Sequence, residues 1–204
     1  MTLTETNSER PSDSAGSVSG SEGHRDFDEA ALIARCRNEI PDNTTGFREL
    51  VRIYHPYAVS VAVRLLNSRE DAEEVAQDSL LQVFHKLHSF EGRSSFRTWL
   101  HIIVLNSARR RLSKMETRRK AENALAESHE TPNPPDLPND RIQLALRRLD
   151  NSQKEVIVLR FFSGMKMEEM AEALGIGSSA AKMRLYRAME AFKTAWDAVD
   201  MDQD

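Results

Sequence analysis

Apolar residues recur along most of this chain at the i, i+3, i+4, i+7 spacing of one helix face, and the elements this predicts are all helices. Ordered structure is expected from Asp26, which with Glu29 resembles a capping box, through a helix that ends near Ile40 before Pro41. A second helix is expected from Thr44 or Thr45 through Phe47, Leu50, Val51 and Tyr54, broken or kinked at Pro56 and resuming from Val59 to Leu66. Ser68 caps a third, with Asp71 at the reciprocal position, whose buried side is Ala72, Val75, Ala76, Ser79, Leu80, Val83 and Leu87. After a loop containing Gly92, Ser94 or Ser95 caps a helix carrying Phe96, Trp99, Leu100, Ile103, Val104 and Leu112.

The pattern stops between Met115 and Pro138, where four prolines crowd one short run and predict a semi-extended linker. It resumes near Asn139 with four helices. The first is built on Ile142, Leu144, Ala145, Leu146 and Leu149. The second is capped by Asn151 or Ser152 and ends at Ser163-Gly164. A short third runs from Lys166 to Leu174 and stops at Gly175, and the fourth is capped by Ser178 or Ser179 and runs to about Val199. The short helix, the glycine-bearing turn and the long helix read as a helix-turn-helix. The expected fold is therefore all-α, two small helical domains joined by a Pro-rich linker. Their bounds are 26–115 and 139–199, with a disordered tail at 1–25, the linker at 116–138 and an acidic end at 200–204.

Composition changes this picture at one point. The formal net charge is −4 over 204 residues, so any affinity for nucleic acid must come from local patches. From Ser68 to Gly92 two Lys/Arg stand against six Asp/Glu, whereas from Arg93 to Lys120 nine Lys/Arg stand against Glu116 alone. Adjoining helices of opposite charge imply two partners for one domain. The single Cys36 excludes an internal disulfide and is read as a packed thiol in a reducing compartment. No apolar run is long enough to span a bilayer and no signal peptide is visible, so a cytoplasmic protein without membrane insertion is expected.

The charged helices carry the candidate sites. Glu70, Glu73, Glu74, Gln77, Asp78 and Leu81 share a second face of the third helix. It is either a solvated acidic stripe or, as Leu81 continuing that face favours, a docking surface. Asn106, Arg109 and Arg110 share a face of the fourth helix, suited to phosphate and base-edge contacts or simply to a basic, solvated helix end. Phe96 and Trp99 fall at helical spacing with Leu100 and Ile103 and are read as core rather than as platforms for stacking bases. There is no phosphate-binding glycine loop, dinucleotide fingerprint or nucleophile constellation, so neither an enzyme nor a cofactor is expected. His85 and His88, three apart, lack the further ligands a metal site needs, and no metal is expected.

The acidic helix Asp71 to Asp78, the following Phe90-Glu91-Gly92-Arg93-Ser94-Ser95-Phe96-Arg97-Thr98-Trp99-Leu100, the Pro-rich linker and the C-terminal helix-turn-helix stand in an order that resembles the extracytoplasmic-function (ECF) sigma factors of bacterial RNA polymerase. The resemblance covers the chain from Asp26 to Val199. It implies a sigma factor that binds core RNA polymerase and directs initiation by recognising −10 and −35 promoter elements, with an anti-sigma factor as a further partner. It also implies that Glu74, Gln77 and Asp78 dock on polymerase, and that Arg93, Ser94, Ser95, Asn106, Arg109 and Arg110 meet −10 DNA. Ser178, Ser179, Lys182, Met183, Tyr186 and Arg187 would face the −35 element in the major groove.

Two stretches depart from the family's habit. The last helix opens Ala180-Ala181-Lys182-Met183-Arg184 where Thr-Val-Lys/Arg-Ser/Thr-Arg is usual, and Ile102 follows Leu100-His101 where an Arg is frequent. Two other readings remain open at this point. One is a stand-alone helix-turn-helix regulator with a helical N-terminal module, and the other is a helical adaptor that binds polymerase without promoters.

Overall fold

The structure, a computed structural model, describes residues 28–123 and 141–201. They form eight α-helices: α1 (Glu29–Glu39), α2 (Thr45–Leu66), α3 (Arg69–Lys86), α4 (Phe96–Asn123), α5 (Arg141–Arg147), α6 (Asn151–Ile157), α7 (Met167–Leu174) and α8 (Ser178–Met201). Among the described residues there is no strand. The tail, the proline run and the last three residues lie outside the described residues. The expected cap Asp26 lies there too, and α1 is capped instead by Asp28, whose carboxylate accepts from the Ala31 N–H at 2.9 Å.

Helices α1 to α4 close around one core. Leu50, Ala58 and Ala62 of α2, Ala72, Ala76 and Val83 of α3 and Leu100 and Val104 of α4 are almost wholly removed from water, all but Ala58 among the apolar positions that spacing assigned. Of the two outcomes expected at Pro56 the break does not occur, and α2 runs on from Thr45 to Leu66. Pro56 lies on the exposed side, where water can satisfy the carbonyl its missing N–H leaves free, while Tyr54, Ala58 and Val61 hold the helix to the core. Asn67 ends α2 in the left-handed region, φ 57°, which Asn tolerates better than most residues. Ser68 then caps α3 as expected, accepting from the Asp71 N–H at 3.2 Å, but the Asp71 carboxylate is engaged by Arg111 of α4. Helix α4 continues past Met115 to Asn123, into the stretch read as linker.

Helices α5 to α8 bury Leu146, Val156, Leu159, Met170, Ala181 and Ala188, and all of these but Ala181 join the buried residues of α1 to α4 in one apolar cluster. The cap of α6 is Asp150, one residue before the expected Asn151 or Ser152, because Asp150 and Gln153 make both halves of a capping box at 2.8 and 3.1 Å. Helix α6 widens into a π-helical turn at Val158–Phe162 before Ser163. Gly175, φ 66°, makes the left-handed stop between α7 and α8 that a side chain would resist. Helix α8 begins one position earlier than expected: Gly177 accepts from the Ala181 N–H at 2.9 Å, so Ser178 is its first residue and not its cap.

The two units pack against each other, α2 and α4 meeting α6 and the π-helical turn. Gln143 Nε2 donates to the Val63 carbonyl at 3.2 Å and to Asn67 Oδ1 at 3.0 Å, and the Arg64 guanidinium lies 4.1 Å from the Phe162 ring centroid. His101, fully buried, places Nδ1 3.0 Å from the Tyr57 hydroxyl and hydrogen-bonds Ser163 Oγ across the junction.

Candidate functional site

On α3 the second face is outward as its spacing requires. Glu74, Gln77 and Asp78 are exposed, and Leu81 stands 58% exposed beyond them. Part of the acid is used within the domain. Arg111 reaches from α4 to Asp71, its Nε 2.9 Å from Oδ1, and to Glu74, its Nη1 3.0 Å from Oε1. The Arg111 pKa is raised, chiefly by the hydrogen bond to Asp71. The free part of the stripe is thus Glu70, Gln77, Asp78 and Leu81, with Glu74 shared between Arg111 and solvent and Glu73 drawn toward His55 and Arg69.

The loop between α3 and α4 is set by what lies under it. Phe96 is buried, and its ring meets Tyr54, Phe90 and Trp99 at centroid distances of 4.8, 5.7 and 5.8 Å, so the aromatic group is core, as its spacing predicted. Trp99 is half-buried at the rim. Over this group the chain turns at Gly92, φ 73°, and Arg93 Nε donates to Glu91 at 2.6 Å. Ser95, not Ser94, caps α4: its Oγ accepts from the Thr98 N–H at 3.1 Å and donates to Thr98 Oγ1. The loop rims a cavity of about 390 Å³ lined by Gly92, Arg93, Ser94, Trp99 and, from α7, Glu169 and Glu172.

Asn106, Arg109 and Arg110 share one side of α4, but the structure gives them different surroundings. Asn106 is exposed. Arg110 donates to Gln82 Oε1 and Ser107 Oγ, both at 3.1 Å, and remains exposed. Arg109 is held in a two-pronged pair with Glu155 of α6, Nε to Oε1 at 2.8 Å and Nη2 to Oε2 at 2.9 Å. Arg184 of α8 adds a third donor to Glu155 at 3.1 Å. The hydrogen bond to Glu155 raises the Arg109 pKa against the opposing effect of burial.

Helix α8 packs on Ala181, Leu185, Ala188 and Ala195, which turns Ser178, Ser179, Lys182, Met183, Tyr186 and Arg187 outward together. Met183 and Tyr186 are each about half exposed, at 53% and 52%, and Lys182 Nζ lies 5.8 Å from the Tyr186 ring centroid. The same unit carries an apolar groove of about 410 Å³ between Ile142, Phe161, Phe162, Met189, Phe192 and Trp196. Among the described residues no cluster of three potential metal ligands occurs, and no helix is long and apolar enough to cross a membrane.

Comparison with known proteins decides among the readings. Residues 50–119 match Sigma-70 region 2 and residues 139–192 match Sigma-70 region 4. The RNA polymerase sigma factor CnrH of Cupriavidus metallidurans is 32% identical over 171 residues, covering 76% of this chain and 89% of its own. The ECF RNA polymerase sigma-E factor of Haemophilus influenzae is 28% identical over 175 residues, covering 78% and 90%. The chain belongs to the ECF sigma factors. Its fold agrees: the structure of CnrH in complex with the cytosolic domain of CnrY superposes with a TM-score of 0.56 at 26% identity, covering 82% of this chain and 96% of that one. A sigma factor directs transcription initiation, and the stand-alone regulator loses its ground because the helical N-terminal unit is itself a sigma region. Glu155, Glu169, Glu172, His101 and Arg111 were not singled out from the sequence. The one signal was Lys154-Glu155 inside a buried apolar helix run, a position that requires a partner for its charge.

Proposed function

We propose that this sigma factor docks on core RNA polymerase through Gln77, Asp78, Leu81 and the free side of Glu74. On the same reading it meets the −10 element with Arg93, Ser94, Ser95, Asn106, Arg109 and Arg110, and the −35 element with Ser178, Ser179, Lys182, Met183, Tyr186 and Arg187. The reading rests most on α8, where the six residues expected to read DNA share one outward face while the intervening Arg184 turns inward. A helix so presented fits the major groove, with Tyr186 and Met183 against base methyls and Lys182 and Arg187 toward base edges or phosphates. The reading is of a cytoplasmic initiation factor and not an enzyme. An anti-sigma factor is a further expected partner, since the related CnrH was solved with the cytosolic domain of CnrY.

Run-off transcription from a cognate promoter with reconstituted holoenzyme tests the whole assignment. Arg187→Ala is expected to cost about 1–3 kcal/mol in promoter binding, a drop of roughly five- to 150-fold, with core binding unchanged. Unchanged promoter affinity would remove Arg187 from the interface.

The docking face is tested separately. Gln77→Lys combined with Asp78→Lys is expected to weaken capture of core polymerase at least about tenfold, since close like charges at an interface cost several kcal/mol. Circular dichroism should stay that of the parent, because both side chains are solvent-exposed. Undiminished capture would place docking elsewhere.

A further inference from the structure

Three consecutive arginines of α4 meet three different surroundings. Arg109 lies on both oxygens of Glu155, and Arg111 on the carboxylates of Asp71 and Glu74, so the charge of each is balanced within the chain. Arg110 is held as well, but by neutral groups. Its Nη2 donates to Gln82 Oε1 of α3 and to Ser107 Oγ, both at 3.1 Å, and Gln82 Nε2 donates in turn to Ser107 Oγ at 2.8 Å. The amide oxygen has to face the guanidinium, which offers donors and no acceptor. Among the described residues no carboxylate is paired with Arg110, although Glu74 and Asp78 line the same cleft of about 260 Å³. The Arg110 side chain is exposed, with Nε and Nη1 left over for a ligand from solvent.

On the reading that Arg110 meets −10 DNA, the geometry points to Gln82 as its positioning residue: from α3, one turn beyond Asp78, it aims the unbalanced arginine of the three at a promoter phosphate without cancelling its charge. An arginine free to swing loses rotamer freedom when it grips a phosphate, whereas one already held loses little. The neutrality of the amide matters as much as its reach. A carboxylate at position 82 would hold the guanidinium as firmly but neutralise it. An apolar side chain there would leave it free to turn across the cleft onto Asp78 or Glu74. Gln82 itself is half-buried between α3 and α4 and acts only through Arg110.

The test measures the affinity of reconstituted holoenzyme for a forked promoter fragment with a single-stranded non-template −10 segment, over a range of salt. Gln82→Met, which keeps the volume but neither hydrogen bond, is expected to weaken binding roughly two- to tenfold, the loss typical of one long side chain that must be immobilised afresh. In the Arg110→Ala background the same change is expected to add nothing. Gln82→Glu is expected to flatten the dependence of log affinity on log salt by about 0.7, the value for one contact to a single-stranded phosphate, as Arg110→Ala does by itself. An equal loss from Gln82→Met with and without Arg110, or an unchanged salt slope in Gln82→Glu, would overturn the inference and make Gln82 a packing residue between two helices. No loss from Gln82→Met beside a clear loss from Arg110→Ala would leave Arg110 on DNA and reject only its positioning. No loss from Arg110→Ala would remove that arginine from the −10 surface, and the role of Gln82 with it.

Discussion

Phe96→Ala should lower the unfolding free energy of the N-terminal unit by about 3–5 kcal/mol, the cost typical of emptying an aromatic site in a packed core. Phe96 is among the largest fully buried side chains, and its ring is in contact distance of three others, so the void cannot collapse without moving Tyr54, Phe90 or Trp99. The consequence reaches function because Phe90 and Phe96 bracket the loop that carries Arg93, Ser94 and Ser95. Loss of the ring removes the floor on which that loop is set. Phe96→Leu keeps most of the volume and should cost far less, about 1–1.5 kcal/mol. Urea unfolding of both variants, followed by run-off transcription at a temperature where each is folded, checks the two parts. A shift under about 1 kcal/mol for the alanine variant would show that the aromatic group is not the core of this unit.

The core of the first unit was legible from spacing, and for a physical reason; in the second, Ala145, Leu146 and Leu149 are buried as read, but Ile142 is exposed. The buried positions of α3 obey helix periodicity because that helix has one dry side, whereas α4 is buried over a wider arc, Leu105 and His101 included, because both units pack on it. Leu87, at the end of that pattern, is buried although it falls in the 3₁₀ turn after α3. Where two candidate cap side chains adjoined, Thr44 and Ser95 prevailed at α2 and α4, but the start was displaced by one residue at α6 and α8. Asp150 prevailed over Asn151 and Ser152 through its reciprocal bond with Gln153, and Gly177 over two serines because they lie inside the helix. The break allowed for at Pro56 does not occur, because a local rule about a missing donor carries no information on which side of the helix faces water.

The outward face of α3 was also legible, since exposure is the complement of the buried stripe, while that of α8 came from the family resemblance. What spacing could not give was the use of charge between elements distant in sequence. The contrast between acidic α3 and basic α4 is partly spent internally, on Arg111 with Asp71 and Glu74. Arg109 is spent on Glu155, a residue beyond the linker. The departure at Leu100-His101-Ile102 also acquires a setting: His101 is the buried residue through which α4 touches Ser163.

That histidine carries the second large effect, a loss of stability on mild acidification. His101 is held neutral in the folded chain: burial first, and the nearby Arg97 charge second, push its pKa from 6.5 down to about 3. Tyr57 and Ser163 are the polar groups bonded to its ring. In the unfolded chain the same imidazole takes up a proton near pH 6.5, so below that pH the unfolded state binds more protons. The contribution of the neutral ring is therefore complete above about pH 6.5 and falls as pH drops toward 3, by about 1.4 kcal/mol for each unit in the steep part. Between pH 6.5 and 5, where model carboxylates have barely begun to titrate, the loss should be on the order of 1–2 kcal/mol. His101→Gln keeps a polar side chain of similar reach but no titrating ring, and should be less stable at pH 7 yet nearly flat across that window. Chemical unfolding of both proteins at pH 7, 6 and 5 makes the comparison, and the difference between their slopes isolates this one histidine from every other group. Parallel slopes would mean that His101 takes up its proton equally in the folded and unfolded chains, as an imidazole open to water would.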